Sequence, residues 1–252
     1  MGDSIATFRR RLLARETLVG TFQKTPSPLV AEVLALSSVD VVAIDAEHSP
    51  FGPTEIDTCL GALRANGMPS LVRVGDDTST SLRNALDGGA NGVVVPHVTS
   101  ASQAERIVSQ CHFGAGGRGF AGWTRAADYG KRSMADYLEH SAEHTTVILQ
   151  IEDIPALEHV ADIAAVDGVD ALFIGRTDLA VALGKSPMDV AVIETVEKIC
   201  EDCLSVDTPI GMFTPDLGEI PKWRDRGASF FLLGSDHGMV LDGANRLADS
   251  FG

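Results

Sequence analysis

Short runs of Val, Ile, Leu and Phe recur along the chain, most of them followed by a segment in which apolar residues return every three or four positions. The runs fall at 19–22, 41–44, 70–74, 92–95, 147–151, 171–174, 209–213 and 229–233. They are short and nearly continuous, as expected of strands buried on both faces of a parallel sheet. The helical pattern is clearest at 53–65, 79–86, 100–111 and 189–204, and Asp, Ser or Thr precedes several of these segments as a candidate N-cap. Eight βα units in 252 residues predict an α/β fold, a TIM (β/α)8 barrel. No linker or shift in composition divides the chain and no internal sequence repeat is seen, so residues 1–252 read as one domain. Two segments lie outside the eight units. Residues 3–15 predict an extra N-terminal helix under the barrel. Residues 112–146 are far longer than an ordinary connection and predict a surface flap, an interface arm or a functional loop.

Chemistry concentrates just past the strand ends. The stretch 147–184 reads as strand, helix, strand, helix, with Glu152 after one strand and Asp178 after the next. Parallel strands joined by a helix bring their carboxyl ends side by side, so these two carboxylates can share one hard divalent cation. Asp45, Glu47 and His48 follow the second strand, Arg73 ends the third, and His97 follows the fourth. Gln150 belongs to the fifth strand end and Phe213 to the seventh. Charge is costly to bury unpaired, so five consecutive strands ending this way point to a site.

Charge and cysteine content narrow the partners. A net charge of −15 argues against nucleic acid and anionic membranes, which need a cationic face. No apolar run approaches the roughly 20 residues that span a bilayer. The first residues form a charged amphipathic pattern without a secretory core, and the four cysteines read as reduced thiols, so a cytoplasmic location is expected. Cys200 and Cys203, although spaced C-x-x-C, lie inside a helical pattern and read as packing.

The runs IDAEHSP, LVRV, LDGGANGVVVPHV, GGRGF, QIED and FIG-x-x-DLA, met in that order, resemble those of the HpcH/HpaI aldolase family, from Gly20 to the helix after Gly234. Members of that family are metal-dependent class II pyruvate aldolases on TIM barrels, cleaving 2-keto-4-hydroxy acids to pyruvate and an aldehyde. The resemblance implies Glu152 and Asp178 as ligands of Mg2+ or Mn2+, and Arg73 as the group that stabilises the enolate. It implies His48 as acid/base with Asp87 orienting it, and Asp45 and Gln150 as polar groups lining the site. It also implies a homo-oligomer, a hexamer in the family, often with an exchanged C-terminal helix that 239–251 would supply.

Elementary chemistry supports these roles. Breaking a bond β to a ketone needs an electron sink. No strand-end lysine stands out for an imine; Lys24 lies in a Thr-Pro-Ser-Pro turn. A divalent ion on two carboxylates, with substrate oxygens and water completing its shell, is the alternative. Mg2+, Mn2+ and Co2+ are not distinguished by this donor set. Arg73 offers a permanent forked cation to a developing oxyanion, and the imidazole of His48 is the side-chain type suited to moving a proton. Amides around Gly175, Thr177 and Asp178 would cradle a substrate carboxylate. Glu47 reads equally as a supporting ligand or a solvated charge, and His97, Arg118, Trp123 and Arg125 receive no role. One departure matters: many relatives carry Gly-Pro-x-Asp-Leu-Ser where this chain has Gly175-Arg176-Thr177-Asp178-Leu179-Ala180. Arg176 replaces a stiffening proline. Two rival readings are a citramalyl- or malyl-CoA-type thioester lyase on the same barrel, and a catalytically silent barrel that binds a keto acid.

Overall fold

The computed structural model describes residues 3–251. Eight parallel strands close into a barrel in sequence order. They are β1 (Leu18–Gln23), β2 (Val41–Asp45), β3 (Ser70–Arg73), β4 (Gly92–Val95), β5 (Thr146–Ile151), β6 (Ala171–Ile174), β7 (Ile210–Phe213) and β8 (Ala228–Ser235). Helix α1 (Asp3–Leu13) precedes the barrel. The connections carry α2 (Pro28–Ala35), α3 (Pro53–Ala65), α4 (Ser79–Asp87), α5 (Ala101–Cys111), α6 (Met134–His144) and α7 (Val160–Ala164). They continue with α8 (Arg176–Ala182), α9 (Val190–Ser205) and α10 (Ile220–Asp225), and α11 (Asp236–Asp249) follows β8. Each expected run becomes a strand whose ends shift by no more than about two residues, the usual uncertainty of element ends. Among the described residues no helix is long and apolar enough to cross a membrane.

The two-residue period of the strands sorts their side chains into two cores. Val42, Ile44, Val72, Val93, Val95, Val147 and Leu149 face outward and pack under the helices. Val41, Ala43, Leu71, Val94, Ile148, Phe173, Phe230 and Leu232 face inward. Helix α1 plugs the amino-terminal end of the barrel as expected: Phe8 and Leu12 join the inner cluster, with Phe8 edge-on to Phe230 at 6.3 Å between centroids. One alternation further along, the inward row continues into Asp45, Arg73 and Gln150, and Asp45 pairs in register with Arg73. The same periodicity that fills the barrel with hydrocarbon therefore ends it in a polar layer at the carboxyl-terminal mouth, where barrels of this kind keep their chemistry.

The segment 112–146 is neither strand nor free coil. An isolated bridge between Phe113 and Arg118 closes a tight loop, and α6 follows. Phe113, Phe120 and Tyr137 pack ring to ring at 5.3–5.9 Å. Cys200 and Cys203 are free thiols buried on α9; burial pushes both up to about 12, as suits packing residues.

Candidate active site

His48, Arg73, Gln150, Gly175, Thr177, Asp178 and Phe213 line one cavity of about 280 Å³ at the mouth. Seven of the ten residues expected in the site thus share one wall. Asp45 is fully buried immediately behind it. Arg73 grips it through two parallel contacts, Nε to Oδ1 at 3.0 Å and Nη2 to Oδ2 at 2.9 Å, while Lys24 Nζ reaches Oδ2 at 2.8 Å. Burial alone would push the Asp45 carboxyl up; Arg73, Lys24 and the His48 amide overcome it and hold it at about 2. Asp45 is therefore a fixed anion that aims Arg73. The guanidinium also lies over the Phe22 ring at 4.6 Å, so its plane has little freedom.

Lys24, which the sequence left in a turn, is part of this wall. Its place is set from the far end of the chain: Asp236, at the start of α11, accepts the Lys24 and Thr25 amides at 2.7 and 2.9 Å. The ammonium is ion-paired with Asp45. A paired ammonium is not a nucleophile, so this lysine is an electrostatic group rather than an imine former.

Glu152 sits at the carboxyl end of β5, 2% exposed. It accepts the His97 amide at 3.1 Å through Oε1, and Gln150 Nε2 donates to its Oε2. Burial pushes its carboxyl above the ordinary range, the two hydrogen bonds pull it back, and Glu47 pushes it up again. Gly175 packs against this carboxylate: a methyl group there would meet Glu152 Oε2 at 2.5 Å and Gln150 Nε2 at 3.3 Å. Glu47, His97 and Glu152 each offer one ligand atom, all within 4.8 Å of one another. His97 Nε2 lies 3.5 Å from Glu47 Oε1, and its Nδ1 lies 3.4 Å from Glu152 Oε1 and 2.9 Å from Asp153. Burial draws this imidazole down, but Asp153, Glu152 and Glu47 together carry it above its usual value. Glu47 Oε2 and Gln150 Oε1 are buried without a hydrogen-bond partner. Glu47 Oε2 has the Arg73 Nε as an ion-pair contact at 3.3 Å, and the convergence of Glu47 and Glu152 is what a hard cation would compensate.

Asp178 is exposed in the first turn of α8, on the cavity wall but outside that tight cluster. His48 is about half exposed, its Nε2 3.8 Å from Glu47. Asp87 is the one expected residue that the chain does not bring to the mouth. It ends α4, and helices of a barrel run back toward the amino ends of the strands. There it pairs with Arg118, which also donates to the Tyr137 hydroxyl at 3.1 Å. Within one chain it does not orient His48. Arg176 lines the same cavity at the mouth, and its guanidinium is held by Glu219 through two hydrogen bonds of 2.9 and 2.7 Å. Glu47 and His97 are the site residues that sequence reading left unassigned. Their signal was position alone, each lying two residues past a strand end.

Residues 18–243 match the family model described as HpcH/HpaI aldolase/citrate lyase. A relative from Salmonella arizonae, named 5-keto-4-deoxy-D-glucarate aldolase, is 31% identical over 97% of this chain and 96% of its own. The crystal structure of an HpcH/HpaI aldolase/citrate lyase family protein from Burkholderia cenocepacia superposes with a TM-score of 0.92 at 28% identity, covering 98% of this chain and 99% of that one. The structure of citrate synthase SbnG superposes with a TM-score of 0.87 at 29% identity, covering 97% of each chain. The family match, the identity to a curated relative and the superposed barrel, each over nearly the whole length, lead to one conclusion: the chain belongs to the HpcH/HpaI aldolase/citrate lyase family and is an enzyme of the class II aldolase kind.

Proposed function

We propose that this enzyme reversibly cleaves 4-hydroxy-2-oxo acids to pyruvate, or a close 2-oxo acid, and an aldehyde, with a divalent metal ion as cofactor. The observation that carries the reading is the buried Glu152 carboxylate, facing Glu47 and His97 across distances that suit one cation. Glu152 would hold the ion in either of two ways, with Asp178 as the resemblance implies or with Glu47 and His97 as their spacing allows. Mg2+ and Mn2+ fit the oxygen donors, and Co2+ would be favoured if His97 takes part. Such an ion supplies Lewis acidity at the keto oxygen of a 2-oxo acid.

The remaining work falls to the chain. Arg73, held flat by Asp45 and Phe22, donates to the oxygen that gains charge as the enolate forms. Its orientation is set before substrate arrives, so little reorganisation is required during reaction. His48 is open enough to exchange protons with solvent and stands where it can take the proton of the 4-hydroxyl or return it to an aldehyde oxygen. Phe22 and Phe213, 5.9 Å apart, give one side of the cavity an apolar wall that limits water near the enolate carbon. Gly175 and Thr177 contribute polar backbone and a hydroxyl toward a substrate carboxylate.

Release of pyruvate from a panel of 4-hydroxy-2-oxo acids tests the reading. Release that EDTA stops and Mn2+ restores is the expected result. Release that EDTA leaves untouched overturns the metal, and no release from any member overturns the substrate class. The likeness to citrate synthase SbnG favours one second reading, cleavage or synthesis of a citrate-type product through a thioester. Consumption of an acyl-CoA would select it. The oligomer implied by the resemblance is supported by apolar side chains left open on two helices, Leu29 and Val33 on α2 and Val240, Leu241 and Leu247 on α11. The free thiols fit the reducing cytoplasm.

A further inference from the structure

A second cavity, of about 500 Å³, opens at the other end of the barrel, beside α1 and below the start of β3. Its wall carries Arg64, Arg118, Arg132, His140 and His144, and no acidic side chain. Three guanidinium groups around one cavity stand out in a chain with a net charge of −15. The acids that balance them stand behind the wall. Asp128 serves both Arg64 and Arg132, the latter at 2.5 Å, and Asp87 serves Arg118. Three guanidinium groups thus share two carboxylates. Arg118, only 6% exposed, keeps its Nε without a hydrogen-bond partner.

The histidines add to this. Their rings stack at 4.2 Å, and His144 Nδ1 donates to the His140 carbonyl at 2.9 Å, which leaves its Nε2 uncommitted. Glu143, 3.8 Å from His144, faces solvent. The Tyr137 hydroxyl accepts from Arg118 and so retains its own proton for a further acceptor.

We propose that this cavity is a second small-molecule site, built for a compact multivalent oxyanion such as a phosphate ester or a di- or tricarboxylate. Forked guanidinium donors match the planar or tetrahedral oxygens of such ligands. The volume suits a metabolite and is too small for a macromolecule. Because the molecule as a whole repels anions, only a local excess of this sort can hold one. The imidazole of His140, drawn down by burial, Arg132 and His144 to about 4, is the group that an added anion would restore toward its usual value.

The test is calorimetric titration of the enzyme with inorganic phosphate and, separately, with tricarballylate. The stronger of the two names the ligand class. One site per chain is expected, weakened about tenfold or more in Arg132→Gln, by the usual worth of a charge-assisted hydrogen bond. Arg132→Lys should fall between, since it keeps the charge and loses the fork. The Arg73→Lys variant should bind as the wild type does, and turnover without added anion should be unchanged in Arg132→Gln. His140 and His144 ring resonances should move on addition of the anion to wild-type enzyme. Absence of binding by either anion at millimolar concentration overturns the proposal. So does binding that Arg73→Lys removes and Arg132→Gln does not, which would put the anion in the mouth.

Discussion

The two ends of this barrel are built from opposite charge. At the carboxyl-terminal mouth, Asp45 and Glu47 from the end of β2 pair with Arg73 and Lys24, while Glu152 from the end of β5 is left with a raised pKa and Glu47 as a neighbour of its own sign. At the amino-terminal end, Arg64, Arg118 and Arg132 line a cavity whose acids lie behind its wall. The net charge of −15 describes neither place. What the difference teaches is that a barrel's two faces can be read separately: strand ends bring polar and acidic groups together at one end, and the end of α3 and the loop before α6 bring guanidiniums together at the other. Cations at the mouth are outnumbered by its carboxylates, and the carboxylates at the lower cavity are outnumbered by its guanidiniums.

The largest effect should follow from removing the mouth's excess. Glu152→Gln keeps the shape and the contact with Gln150 but takes away the charge, and metal-dependent pyruvate release should fall on the order of 10³-fold with an unchanged circular dichroism spectrum. Wild-type turnover in this variant would remove Glu152 from the metal site. Arg73→Lys keeps the charge yet cannot span Asp45 with two donors, so turnover should drop by about 10²–10³-fold with a smaller change in KM. Equal turnover would mean that orientation of the cation is irrelevant. Gly175→Ala should be milder. The backbone there, at φ −85° and ψ 68°, accepts alanine, so its cost is the displacement of Glu152, read as a loss of about 10–100-fold in metal affinity at nearly constant melting temperature.

These sites differ in how legible they were in the sequence. The strands announce themselves because parallel strands covered on both faces must be apolar throughout, and the polar residue that ends each run marks the mouth; Asp45, Arg73, Gln150 and Glu152 follow from that alone. Glu47 and His97 did not, because each lies in the loop past its strand, where direction depends on backbone turns. His97 adopts φ 57°, a left-handed conformation that no sequence pattern announced, and that turn carries its ring toward Glu152. Asp87 was expected beside His48 from the resemblance alone; its position at the end of α4 puts it, within one chain, on Arg118. The lower cavity was illegible for a different reason. Its cations come from α3, α6 and the long 112–146 segment, separated by tens of residues and joined by no periodicity.

The smallest effect belongs to that cavity and bears directly on its sign. Burial, Arg132 and His144 draw the His140 imidazole down to about 4, whereas in the unfolded chain it titrates near its usual value of about 6.5. Between those two values the unfolded chain binds more protons than the native protein. Native stability contributed by His140 is therefore complete above about pH 6.5 and declines as the pH falls toward 4. His140→Gln removes the group, so the urea midpoint of the variant should vary less steeply with pH across this window, by at most about one proton, and should match the wild type's pH dependence above it. Multivalent anion should flatten the wild-type curve in the same window, because a bound anion lets His140 keep its proton in the native state. Parallel curves for wild type and His140→Gln would show that the imidazole is not held low. The amino-terminal end would then lose its claim to an uncompensated positive charge, and the contrast between the two ends would reduce to the carboxylates of the mouth.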